Sequence, residues 1–228
     1  MITVQEHPEL TSREDLKRLR LLVVDDHPAV RLGVLQLLDD QPDFAVVDAA
    51  CSAEEARSLA EREPIDVAVV DYQLGSRSGL WLTRKLKELE PAPAVVMYSA
   101  YCDGPLAAAC VVAGADGLVS KGSVGAELCH AVRAVARGYS RLPLVPATLA
   151  GAMRRRLSAQ EQAIFGMLLA GIDPSEIATT LGISTRKLDT SRWAMLHKLE
   201  ALRPDPTALP SRTPLLRGRI TRRRAPGC

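Results

Sequence analysis

Apolar runs that end on carboxylates constrain this chain more than any other feature. Leu21, Leu22, Val23 and Val24 lead straight into Asp25 and Asp26, and the apolar residues 67–70 lead into Asp71. Runs this short and this apolar match buried strands better than helices. If both are parallel strands, their carboxyl ends lie side by side at one sheet edge and three carboxylates converge there. Carboxylates held that close repel and raise one another's pKa. A hard divalent cation relieves the repulsion. Mg²⁺ prefers oxygen ligands and keeps several waters, which suits a small acidic cluster with room for a phosphate. One Asp at a strand end would read as a turn former or a helix cap; two strands ending alike weaken that reading.

Two later runs end on groups of the opposite kind. Residues 94–98 close on Ser99, and residues 117–119 close on Ser120 and Lys121. Ligands of open α/β sheets bind outside the carboxyl ends of the strands, so a hydroxyl and an ammonium join the acids as an anion-binding counterpart to a metal. The wider pattern agrees. Strand-like runs at 20–24, 44–50, 67–70, 94–98 and 117–119 alternate with helical spacing at 30–38, 53–62, 80–89, 106–113 and 124–137. Strand then helix, five times over, predicts a doubly wound five-stranded parallel sheet.

Asp25-Asp26-His27-Pro28, Asp71, Ser99 and Lys121, with Gly114-Ala115-Asp116-Gly117 ahead of the lysine, resemble the receiver domain of bacterial two-component response regulators. The Asp-Asp-His-Pro start and Arg31 resemble the NarL/FixJ class, whose members carry a C-terminal LuxR-type helix-turn-helix. The resemblance implies a flavodoxin-like receiver in which Asp71 is the phosphoacceptor. Asp25, Asp26 and Asp71, with the main-chain carbonyl of Gln73, would hold Mg²⁺, and Ser99 and Lys121 would touch the phosphoryl oxygens. It also implies a sensor histidine kinase as phosphodonor. The chemistry stands without the family: phosphoryl transfer asks mainly for positioning and charge neutralisation, which a divalent ion beside Lys121 supplies. Two positions depart from the pattern. Leu118 stands where receivers of this family usually have an aromatic, three residues before the lysine, and the loop Gly75-Ser76-Arg77-Ser78-Gly79 lacks the proline common there.

Length and charge divide the chain. With 228 residues, 47% of them hydrophobic, it is long enough for two domains and their linkers. Lys and Arg against Asp and Glu number 15 to 21 over residues 1–153, 8 to 5 over 154–203 and 6 to 1 over 204–228. An acidic front and a basic back are expected when only the C-terminal part meets a polyanion. The division reads as an N-terminal extension at 1–18, a receiver at 19–141, a linker at 142–153, a helix-turn-helix at 154–203 and a basic tail without predicted order at 204–228. No run is long enough to span a membrane and no signal core opens the chain, so a cytoplasmic protein is expected. Cys51, Cys102, Cys110, Cys129 and Cys228 fall singly, which indicates neither a zinc site nor a disulfide framework; they are expected to be reduced, mainly as small buried fillers.

In the back part, Ser158 and Glu161 form a capping-box pattern, Asp173-Pro174 opens a second helix that Gly182 stops, and Ser184 caps a third. The inner face of that third helix is Leu188, Met195, Leu196 and Leu199. Two short helices joined through Leu181-Gly182-Ile183-Ser184 make a helix-turn-helix, and Leu157-Ser158, Glu161, Gly171, Glu176-Ile177-Ala178 and Lys198-Leu199 resemble the LuxR-type module. The resemblance implies double-stranded DNA as a partner, a homodimer, and contacts from Arg186, Lys187, Asp189, Thr190, Ser191, Arg192 and Trp193 on the third helix. Lys187-Leu188, Asp189, Ser191 and Trp193 depart from the usual residues at their positions. The expected function is a phosphorylation-controlled transcription regulator, not an enzyme. Two rivals are a protein-interaction or dimerisation regulator that no longer binds specific DNA, and an Mg²⁺-dependent phosphohydrolase. The second wants a general acid near the nucleophile, which Asp71-Tyr72-Gln73 does not provide.

Overall fold

The computed structural model describes residues 18–201; the N-terminal extension and the basic tail expected from the sequence lie outside them, apart from Arg18. Five parallel strands form one sheet: β1 (Leu19–Val24), β2 (Phe44–Ala50), β3 (Val67–Asp71), β6 (Ala94–Ser99) and β7 (Gly117–Ser120), in the order β2-β1-β3-β6-β7. The other two strands, β4 (Gln73–Leu74) and β5 (Arg77–Ser78), form a two-stranded hairpin directly after β3. This hairpin, absent from the sequence expectation, occupies the loop that lacks the proline.

Strand side chains alternate between two cores, as a period of two demands. Val67 and Val69 face a cluster that includes Leu21, Val23, Val96 and Val119. It is covered by α1 (Pro28–Asp39) and α5 (Gly125–Ala136), which supply Leu38 and Val132. Ala68 and Val70 face the other cluster, with Leu22, Val24 and Met97, under α2 (Ala53–Ala60), α3 (Gly79–Leu86) and α4 (Gly104–Ala113). Ser52, Ser78 and Asp103 cap α2, α3 and α4, each accepting a main-chain N–H three residues on. After α5, Arg141 pairs with Gly117, taking a bond from Leu118 N–H at 3.2 Å and giving one to the Asp116 carbonyl at 2.7 Å. The segment thus covers the open edge of β7.

Four helices follow: α6 (Ala147–Arg154), α7 (Ala159–Leu169), α8 (Pro174–Leu181) and α9 (Thr185–Glu200). The span expected as a linker therefore contains α6, whose Ala150 and Met153 are buried. The caps fall where the sequence puts them: Ser158 and Glu161 form a full capping box, Asp173 caps α8 with Pro174 at its start, Gly182 ends it in the left-handed conformation, and Ser184 caps α9. Leu188, Met195, Leu196 and Leu199 are all buried.

The second core does not stop at the domain boundary. It runs on through α4 into Met153, Leu157, Phe165, Leu168 and Met195 of the helical part. The cause is α4 itself, Gly-Pro-Leu-Ala-Ala-Ala-Cys-Val-Val-Ala, which has no polar face. A helix that is apolar all round must be covered all round, and α4 packs against α3 on one side and against α6, α7 and α9 on the other. Of the described cysteines, Cys110 and Cys129 are buried fillers, whereas Cys51 and Cys102 are exposed. None of the described helices is long and apolar enough to cross a membrane.

Candidate functional site

Strand register assembles the acidic site. Val24 pairs with Val70, so Asp25, just after β1, and Asp71, last in β3, emerge next to each other. Asp71 pairs with Tyr98, and Ser99 with Ser120, which places Ser99 and Lys121 at the same edge. Asp25, Asp71 and Ser99 are buried, and Asp26 is half-buried. Lys121 Nζ lies 2.6 Å from Asp25 Oδ2 and 2.8 Å from Asp71 Oδ2. Burial pushes the Asp71 carboxyl above the ordinary carboxylate range, against the opposing pull of Lys121. Burial also disfavours the Lys121 ammonium, but its bonds to Asp25 and Asp71 outweigh that and raise its pKa. The cluster is thus only partly neutralised, one cation shared by two carboxylates.

Neighbouring groups hold the acids in place. Arg31 donates to the Asp25 main-chain carbonyl at 2.7 Å, and the His27 N–H donates to Asp25 Oδ1 at 2.8 Å. The main-chain N–H of Gln73 faces the Asp71 carboxylate and favours its charged form. The exposed His27 ring sits at the edge, its Nδ1 2.7 Å from Asp26 Oδ1, although without the geometry of a hydrogen bond, so Asp26 Oδ1 is buried and accepts none. Ligand atoms of Asp25, Asp26, His27 and Asp71 all lie within 4.8 Å of one another. A desolvated, donorless carboxylate oxygen beside two further carboxylates fits a hard cation with oxygen ligands. Leu118, at the place of the usual aromatic, is buried in the α4-side core.

The helix expected to meet DNA faces the receiver instead of solvent along much of one side. Arg186, Lys187 and Thr190 are exposed, Asp189 and Trp193 are half-buried, and Ser191 and Arg192 are buried. Arg84 on α3, only 3% exposed, reaches Asp189 Oδ1 at 2.5 Å. Arg192 Nε donates to the Val112 carbonyl at 2.8 Å, capping the C-terminal end of α4 as a cation should. A Cβ on Gly114, which ends α4 at φ +89°, would lie 2.8 Å from Arg192 Nη2, so the close approach and the left-handed turn both call for glycine. Burial, with Arg84 nearby and Asp189 opposing, lowers the Arg192 pKa to about 10. Lys85 stands over the Trp193 ring at 5.6 Å, and the Ser78 hydroxyl donates to Glu200 Oε1 at 2.7 Å. Arg84, Lys85, Ser78 and Glu200 escaped the sequence reading. The one legible signal was the all-apolar α4, which required a second partner.

Known proteins place this architecture. Residues 21–133 match the response regulator receiver domain. The DNA-binding transcriptional activator DevR/DosR of Mycobacterium tuberculosis is 30% identical over 191 residues, covering 79% of this chain and 88% of that protein. The structure of a two-component response regulator of the LuxR family from Aurantimonas sp. SI85-9A1 is 33% identical, covering 60% of this chain and 98% of its own, with a TM-score of 0.52. Over both domains the fold is that of the RcsB response regulator of Salmonella typhimurium, with a TM-score of 0.52, 20% identity and coverage of 83% and 95%. With the acids, the hydroxyl and the lysine each at its strand end, and a helix-turn-helix after them, this chain belongs to the two-component response regulators of the LuxR type.

Proposed function

We propose that Asp71 accepts a phosphoryl group from a histidine kinase and that this controls the binding of duplex DNA by α8 and α9. In the transfer, an Asp71 carboxylate oxygen attacks phosphorus, the bond from phosphorus to the donor atom breaks, and the donor leaves with that electron pair. The product is an acyl phosphate. Mg²⁺ held by Asp25, Asp26 and Asp71, with the Gln73 carbonyl, would neutralise the charge during transfer; the donorless Asp26 oxygen supports this ligand set. Lys121 is already between Asp25 and Asp71, and Ser99 is beside them, so both are in position for the phosphoryl oxygens.

One observation carries the control. Part of the face of α9 that would enter a major groove is docked on the receiver, where Arg84 holds Asp189, the Val112 carbonyl takes Arg192 and Lys85 covers Trp193. The same side chains serve one contact at a time, so the docked form competes with DNA, and DNA binding needs release. In the released form Lys187 and Arg192, with Arg186, suit phosphates, while Asp189, Thr190, Ser191 and Trp193 face base edges. DevR/DosR, by its name a DNA-binding activator, supports this reading, and a homodimer suits paired half-sites.

The test combines labelling with selection. Acetyl phosphate and Mg²⁺ should label the wild-type chain at one acid-labile site, and Asp71→Asn should remove the label. DNA selected from a random pool should be enriched in one sequence only after labelling, and a chain lacking residues 212–228 should retain that preference. Full labelling of Asp71→Asn, or a labelled, tail-deleted chain with no sequence preference at low salt, would overturn the proposal.

A further inference from the structure

The first turn of α3 joins the acidic site to the recognition helix in very few steps. At its N-terminus, a Cβ on Gly79 would overlap the main-chain carbonyl oxygen of Asp71, so the helix start abuts the acceptor with no intervening side chain. Gly79 N–H also bonds to the Tyr72 carbonyl at 2.7 Å. The preceding residue, Ser78, does two things with one hydroxyl: it accepts from Trp81 N–H at 3.3 Å, capping α3, and donates to Glu200 at the end of α9. Farther along the same helix, Arg84 holds Asp189 and Lys85 covers Trp193. Two contacts with α9 are thus mounted on one eight-residue helix and a third on its N-cap, and the helix's first residue touches the acceptor's own backbone. On β7, Leu118 carries no ring to rotate and is packed in the core.

We propose that α3 is the transmitting element of this regulator: phosphorylation of Asp71 is read by the first turn of α3 and passed to α9 through Ser78–Glu200, Arg84–Asp189 and Lys85–Trp193. The inference rests on Asp71 being the acceptor. The acyl phosphate adds negative charge next to the N-terminal end of α3, which carries partial positive charge and attracts it. Packing at Gly79 leaves no slack, so movement of the 71–73 segment reaches Ser78 as a displacement. The contacts it strains are polar and partly desolvated. Arg84 Nε is buried with no hydrogen-bond partner, and Arg84 and Arg192 share a single nearby carboxylate, Asp189. Such contacts depend steeply on geometry and are lost over a small shift, whereas apolar packing degrades gradually.

The chain's two tryptophans, Trp81 and Trp193, stand on the two sides of this contact. In a Trp81→Phe background, Trp193 emission reports docking of α9, and beryllium fluoride with Mg²⁺ serves as the probe at Asp71. Saturation should shift the emission to the red. In the double variant Asp189→Asn with Glu200→Gln, which leaves the receiver sequence intact, the shift should fall to less than a third. Reciprocity of linkage then requires beryllium fluoride to bind that variant more tightly, by about fivefold or more. Arg192→Lys keeps a cation and a donor at the end of α4 and leaves the contacts on α3 untouched, so it should keep the shift. A full shift in the double variant, or an equal loss in Arg192→Lys, assigns transmission to α4 and overturns the proposal. Intact-mass labelling by acetyl phosphate, run in parallel, separates the two failures: a labelled chain with an unmoved Trp193 defeats transmission through α3 alone, while a chain that takes neither label nor beryllium fluoride defeats the acceptor reading and this inference with it.

Discussion

The acid cluster and the contact between α3 and α9 both bury charge, and they are built in opposite ways. At the sheet edge, Asp25, Asp71 and Lys121 are delivered by three strands or strand ends in fixed parallel register. The lysine bridges both carboxylates within 2.8 Å. At the domain contact, Arg84 comes from a receiver helix, while Asp189 and Arg192 come from a helix more than 100 residues later, counted from Arg84 to Asp189. There the cations outnumber the nearby carboxylate. The first arrangement is held by a sheet and does not need its charges for its shape. The second sets its charges beside an apolar seam through α4, and the charged contacts on α3 are the part that a small shift breaks. A regulator needs this asymmetry: a rigid place for the chemistry, and a contact weak enough for that chemistry to break.

Lys121→Ala gives the largest effect and tests the first half of the comparison. It leaves Asp25 and Asp71 buried without their shared cation, and removing one partner of a buried ion pair costs about 3 kcal/mol. Urea unfolding without Mg²⁺ should show that loss at neutral pH, and added Mg²⁺ should recover part of it by binding only the folded state. Asp71 keeps a pKa above its ordinary value because of burial. Its ionised form is therefore the disfavoured one in the fold, and stability linked to it falls as pH rises through the ordinary value towards the raised one. The lysine's absence should be felt less at pH 5 than at pH 7. An equal loss at both pH values would break the comparison by showing that Lys121 acts through packing.

Gly114→Ala tests the second half. The new Cβ must adopt a left-handed conformation at φ +89° and displace the Arg192 guanidinium. The backbone contributes about 1–2 kcal/mol, spent in the receiver whether α9 is docked or not. Loss of the Arg192 cap on α4 is felt only in the docked form. A red-shifted Trp193 emission at rest, with a modest fall in thermal stability, is expected. Unfolding without any change in Trp193 at rest would show that the domain contact does not depend on Arg192.

How much of this was legible in the sequence follows the same division. Asp25, Asp71, Ser99 and Lys121 end or follow strands, and strand ends show in apolar runs, so their convergence could be reasoned from periodicity and the parallel-sheet rule. The caps at Ser158, Asp173 and Ser184 are local and fell where expected. The docked face of α9 is not local. Asp189 and Trp193 were visible only as departures from a pattern, and Arg192 only as one cation among others, because their partners Arg84, Lys85 and Val112 lie on surfaces that no short-range spacing relates to them. Helix α6 was missed for a similar reason. Its Ala150 and Met153 are held by packing against the α4-side core, and tertiary burial overrode a proline-rich approach that reads as linker.

Glu161 gives the smallest predicted effect, and it tests whether the helical domain keeps its own stability when the contact with the receiver is broken. Its side chain closes the capping box on Ser158 N–H at 2.7 Å and accepts from Lys198 of α9 at 2.6 and 2.8 Å. It therefore ties the start of α7 to α9 from within the helical domain. Burial works against its charge, but the Lys198 and Ser158 bonds outweigh that and hold the carboxyl below its ordinary value of 4.5. A depressed carboxyl stabilises the fold above its unfolded value and loses that contribution as pH falls through the folded one. Glu161→Gln keeps a capping acceptor and removes the charge, so it should cost about 1.5 kcal/mol at neutral pH. The gap to the wild type should narrow below about pH 4.5, where Glu161 protonates and loses its charge-assisted bond to Lys198. Trp193 emission at rest should stay unshifted in this variant, because the Glu161 carboxylate bonds to Ser158 and Lys198, both within the helical domain. A red shift equal to that of Gly114→Ala would mean that α9 cannot be released from the receiver without loosening its own domain, and the division between a rigid site and a breakable contact would have to be redrawn inside the helix-turn-helix.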